Sequence, residues 1–153
     1  DNGNVTCDLH IPESKFAELV DQGLVPNPGD ILVTARGTLG RCYIISDKDK
    51  FYFQDGMITW LSDFCDEITP LFLSYLFSMS GIKKQIDGLQ AGSTVAYLSI
   101  AMTKQLDIIV PPMELQEQFA EFIKQIDKSK FAVQKALDKA QLLFDSLMQQ
   151  YFG

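Results

Sequence analysis

The chain has 153 residues, 46% of them hydrophobic and 22% charged, enough to bury one ordinary core and too evenly mixed for a disordered or fibrous protein. Its formal net charge of -7 excludes a uniformly basic nucleic-acid coat, but the acidity is regional. Residues 1–28 and 51–80 each carry four more acidic than basic groups, whereas residues 29–50 and 81–112 each carry one more basic than acidic group.

No apolar run approaches the roughly 20 residues of a membrane span, and the N-terminal DNGNVTCDLH has neither a cationic start nor an apolar core, so no membrane segment or signal peptide is expected. Cys7, Cys42 and Cys65 are odd in number and lack a CxxC pair; they read as reduced thiols of a cytoplasmic protein, not as disulfides or zinc ligands. His10 is the only histidine, and close to a proline, Pro12, it reads as a surface residue, not as half of a Cys-His or Ser-His pair.

In chain order, PESKFAELVDQ at 12–22 predicts a short helix with Phe16, Leu19 and Val20 on one face and Gly23 as its stop. After the breaker PNPGD, residues 30–35 and 41–46 are β-rich runs joined by a turn carrying Arg36, with Gly37 and Gly40 to supply positive φ, so a hairpin is expected. FYFQDGMITWL at 51–61 predicts one or two further strands around Asp55-Gly56. Thr69-Pro70 is a helix start, and LFLSYLFSMS continues it, mostly buried, to Gly81. Ile82 to Asp87 predicts a short extra helical turn with Lys83 and Lys84, followed by the loop GLQAGSTVAY, a helical turn capped by Ser99, and a last strand, LDIIV, at 106–110.

From Met113 one helix is predicted almost to the C-terminus, free of Gly and Pro until Gly153. With Phe119 at heptad position a, the a line is Phe119, Ile126, Val133, Ala140 and Leu147, and the d line includes Phe122, Ala136 and Leu143. Such a helix spans roughly 55 to 60 Å. That exceeds what a domain of this size needs for its own core, so the seam is expected to pack on a partner. The expected class is therefore α+β: a small, mostly antiparallel sheet with packed helices at 1–112, then a long coiled-coil-forming helix at 113–153.

No catalytic constellation is legible. GTLGRC lacks the GK[ST] of a P-loop, and in VPPM Val110 cannot accept a hydrogen bond from a target amine as a methyltransferase motif requires. Asp63, Asp66 and Glu67 have no nearby histidine and read as solvated loop charges. The binding candidates are the Arg36 turn, with Thr38 and Arg41, and a second set, Lys83, Lys84, Gln90, Ser93, Thr94 and Tyr97, which mixes cations with amide, hydroxyl and aromatic groups suited to DNA backbone and base edges.

The succession NPGDILVTARGTLG, TPLFLSYLFSMSG and AGSTVAYLSIAMTKQLDIIVPPMELQEQFAEFIKQID resembles the specificity subunit of type I restriction-modification enzymes: the second part of a target recognition domain and the spacer helix after it. The resemblance covers most of residues 13 to 150. It implies a non-catalytic subunit whose recognition loops enter the major groove of double-stranded DNA and whose spacer helices form an antiparallel coiled coil that docks the modification subunits. It implies that S-adenosylmethionine, ATP and Mg are held by the modification and restriction subunits, with no cofactor in this chain. A complete family member has two recognition domains and two spacer helices. The alternatives are therefore a piece of a longer subunit or a half-subunit that forms a homodimer through its C-terminal helix. Residues alone leave open another class, a coiled-coil protein-interaction adaptor with no DNA binding of its own.

Overall fold

The structure, a computed structural model, describes residues 10–54, 56–90 and 96–152. The chain divides into two compact units, Asp1–Met113 and Glu114–Gly153. The first contains α1 (Glu13–Asp21), β1 (Ile31–Thr34), β2 (Cys42–Ile44), β3 (Ile58–Leu61), α2 (Pro70–Leu76), α3 (Ser80–Leu89) and α4 (Ile100–Thr103); α5 runs from Met113 to Phe152. The class is α+β, with one antiparallel three-stranded sheet of order β2-β1-β3.

The chain enters β1 through Asn27-Pro28-Gly29-Asp30, where the Asp30 N–H donates to the Asn27 carbonyl at 3.0 Å and Gly29 has φ 93. Proline then glycine is the residue pair a type II turn demands. The buried Asp30 carboxylate accepts from the Asn27 N–H at 2.7 Å and from Trp60 Nε1 at 2.9 Å, tying the turn to β3. In β1, Ile31 and Val33 face the core while Leu32 and Thr34 face the other side, as the period-2 pleat requires. The core joins Ile31 and Val33 to Leu76 and Phe77 beside α2, Ile82 and Ile86 of α3, and Leu98. Cys42 packs against it, and burial pushes its thiol up to about 12, so it is a packing group and not a nucleophile at neutral pH.

The β1–β2 hairpin turn has Gly37 and Gly40 both at φ 72, as the sequence predicts. They differ in their surroundings: a Cβ on Gly37 meets nothing within 4 Å, whereas one on Gly40 lies 3.2 Å from Ile86 Cδ1. The Thr34 hydroxyl braces the turn by donating to the Thr38 carbonyl and accepting from the Arg41 N–H at 3.0 Å.

Of the one or two strands expected in 51–61, one forms among the described residues, Ile58–Leu61; Phe53 sets its ring 6.2 Å from Trp60, near edge-on. Other expectations need correction. The helix from Pro70 stops at Leu76, and Gly81 lies in the first turn of α3, which begins after extended Met79. The break lets Leu76, Phe77, Ile82 and Ile86 share one core, which one straight helix could not achieve. On α1, Leu19 is buried but Val20 is 49% exposed, and Gly23 closes the helix with Leu24 N–H donating to the Leu19 carbonyl. The caps at Thr69 and Ser99 form as expected, accepting from the Phe72 and Met102 N–H groups.

LDIIV belongs to no strand. Its backbone partner is a side chain: the Gln85 amide accepts from the Asp107 N–H at 2.8 Å and donates to the Asp107 carbonyl at 2.9 Å. Gln90, at the other end of α3, clamps Tyr97 in the same way, at 2.8 and 2.7 Å. Two glutamines thus act as one-residue strand partners that fasten the 97–107 segment to α3.

Two predictions follow from these geometries. Gln90→Ala raises the amide hydrogen-exchange rate of Tyr97 and leaves that of Asp107 unchanged, and Gln85→Ala does the converse. In urea denaturation, Gly40→Ala costs more than Gly37→Ala: both add about 1–2 kcal/mol for an L residue at positive φ, and only Gly40 adds a clash.

Candidate nucleic-acid interface

Beyond Thr34 the alternation of β1 continues, with Ala35 buried and Arg36 exposed. Arg36 pairs with Tyr97 in an isolated antiparallel bridge, and the Leu98 N–H donates to the Ala35 carbonyl at 2.9 Å. Residues opposed in such a pair share a face. Ala35 and Leu98 therefore point into the core, at 1% and 0% exposure, and Arg36 and Tyr97 point out together.

The Arg36 guanidinium carbon lies 5.3 Å from the Tyr97 ring centroid, within cation–π range. Among the described residues it has no carboxylate partner. The backbone that carries the ring is held by the Leu98 anchor on one side and by the Gln90 clamp on Tyr97. The two candidate sets, far apart in sequence, thus meet in one cluster of Arg36, Gln90 and Tyr97.

The other candidates lie at varying distance from it. Thr38 is exposed on the same turn and gives its carbonyl to the Thr34 hydroxyl. Arg41 is exposed at the end of the turn, and its side chain lines an apolar groove of about 370 Å³ with Thr34, Tyr43, Phe51, Tyr52 and Ile58 on the outer sheet face. Lys83 is exposed on the Gln90 flank of α3, seven residues and about 10 Å upstream, whereas Lys84 faces away from the Ile82–Ile86 core side. Ser93 and Thr94 lie outside the described residues. Gln90 has both ends of its amide engaged, which makes it a brace for Tyr97. Neither the clamp nor the cation–π contact was legible in the sequence, because both depend on which residues α3 and β1 bring together.

In the second unit, α5 is a 40-residue helix, about 60 Å long. Its charges are solvated and make short-range pairs such as Lys124–Glu121 at 2.6 Å and Gln134–Asp138 at 2.8 Å. Of the heptad residues, Phe119 and Ile126 are half-buried, and Phe122, Val133, Ala136, Ala140, Leu143 and Leu147 are exposed. Leu137, Phe144 and Tyr151 are also exposed, at 60%, 57% and 70%. Each follows Val133, Ala140 or Leu147 by four residues, so the alternating four-three spacing from Val133 to Tyr151 draws an apolar stripe that the original d line missed. Counting four-residue steps as well as three would have found it. Among the described residues, no helix is long and apolar enough to cross a membrane.

Comparison with known proteins bears on both units. The type I restriction modification DNA specificity domain family matches residues 11–142, from α1 into α5. A Haemophilus influenzae protein assigned as type I restriction enzyme specificity subunit S.HindORF215P is 30% identical over 133 residues, covering 87% of this chain and 33% of that protein. The chain thus spans about a third of the length of the curated relative it matches. The matched range includes the Asp30 turn, the Arg36 hairpin, both glutamine clamps and most of α5, and the chain belongs to the type I restriction modification DNA specificity domain family.

Proposed function

We propose that the chain recognises the sequence of double-stranded DNA without catalysing a reaction, as the DNA-reading part of a type I restriction-modification specificity subunit. The observation that carries this reading is Arg36, an exposed guanidinium at cation–π distance from Tyr97 with no carboxylate partner among the described residues. A structural arginine would be expected to pair with one of the chain's 20 acidic groups; an arginine held without an anion is placed to receive one. Arg36, Thr38, Arg41 and Tyr97 form the centre of the interface, and Lys83 and Lys84 add charge beside it.

The α5 stripe is the docking face for a partner helix, supplied by a second spacer segment or by a second copy of this chain, and it places the modification and restriction subunits on the DNA. In this reading those subunits hold S-adenosylmethionine, ATP and Mg and perform the chemistry. The exposed stripe also favours a second reading, an interaction adaptor with no DNA affinity of its own.

Fluorescence anisotropy on duplex DNA separates the two. With modification subunits present, affinity falls steeply between about 50 and 200 mM salt, Arg36→Ala weakens binding roughly five- to one-hundred-fold, and joint replacement of Lys83 and Lys84 by Ala flattens the salt slope by up to about 2. Unchanged affinity and slope in both variants would remove these residues from the interface, and assembly without any DNA affinity would leave the adaptor. For α5, Leu137→Asp with Phe144→Asp abolishes subunit association in light scattering, whereas Lys135→Ala leaves it intact.

A further inference from the structure

We infer that Arg36 is a base-reading residue specific for guanine, with Tyr97 as its positioning residue; the inference rests on the DNA-recognition reading above. A phosphate contact needs positive charge within reach, and a solvated, mobile side chain provides it. Arg36 is restrained far more than that. Its guanidinium carbon lies 5.3 Å from the Tyr97 ring centroid, the Tyr97 backbone is pinned by the buried Leu98 next to it and by one hydrogen bond donated to and one accepted from the Gln90 amide, and the turn carrying Arg36 is braced by the Thr34 hydroxyl.

A guanidinium held at cation–π distance from one ring keeps in-plane N–H groups to offer to two acceptors. In the major groove guanine alone offers two acceptors on one base, O6 and N7; adenine pairs its N7 with a donor, thymine has the single acceptor O4, and cytosine presents a donor. The residues flanking Arg36 on the turn, Ala35, Gly37, Thr38 and Leu39, are uncharged, and the next cation, Arg41, lines the groove on the outer sheet face, so Arg36 is the one cation at the tip itself.

The test uses the chain assembled with modification subunits. Duplexes it retains from a random library define its site, and each guanine of that site is then replaced singly by 7-deazaguanine, which keeps base pairing and O6 but lacks N7, or by hypoxanthine, which keeps both O6 and N7. We expect one position at which 7-deazaguanine weakens binding roughly five- to one-hundred-fold and hypoxanthine does not. That penalty disappears in Arg36→Ala, disappears in Tyr97→Ala without a change in salt slope, and persists in Tyr97→Phe. If no guanine shows the penalty, or if it persists in Arg36→Ala, the inference is overturned while DNA recognition stands. The same holds if Arg36→Ala weakens every duplex equally and lowers the salt slope by about 1, the mark of a phosphate contact. Failure to retain any duplex would instead remove the DNA reading itself.

Discussion

The candidate interface depends on one pairing, Ala35-Arg36 against Tyr97-Leu98. Leu98 and Ala35 are sealed in the core, and the pleat then leaves their neighbours no choice of side. Slipping the pairing by one residue would drive an arginine into the cluster of Ile31, Val33 and Phe77, where an unpaired charge is prohibitively costly. The hydrophobic core therefore does more than stabilise the sheet: by burying alternate residues it aims Arg36 and Tyr97 outward as a pair. The Gln90 amide supplies the hydrogen bonds that this short bridge, at the edge of regular structure, would otherwise lack.

The second unit poses a different energetic problem. Val133, Leu137, Phe144 and Leu147 are between 43% and 68% exposed, and full burial of such side chains contributes about 1.5–3 kcal/mol each. Four of them together approach the cost of bringing two chains into one complex, on the order of 4–15 kcal/mol. The exposed i,i+3 and i,i+4 pairs at Lys124–Glu121 and Gln134–Asp138 are solvent-screened and contribute little to the helix. A helix of this length with this stripe gains most of its stability by packing, which is why association and not isolated helicity is the property to measure.

Features governed by neighbours in sequence were legible before the fold was known. The turn glycines Gly37 and Gly40, the Thr69 and Ser99 caps, the antiparallel hairpin and the unbroken α5 all rest on local backbone chemistry. What escaped was decided at a distance. LDIIV has strand composition, but Gln85 took its backbone partner's place. Gln90 is recognisable in sequence as a polar group near Tyr97 and not as its brace. The candidate residues Arg36 and Tyr97 were each named from sequence, but their contact across 61 positions was not, because no local pattern encodes a bridge between two non-adjacent segments.

The central claim is that the outward-facing Arg36–Tyr97 pair selects DNA sequence for reactions performed by other subunits. Mapping methylated adenines across genomic DNA, in cells holding the modification subunits with and without this chain, tests it most directly. The account predicts a methylated motif that appears only when the chain is present and is lost or altered when Arg36 is replaced by Ala. An identical set of methylated sites with and without the chain would contradict it.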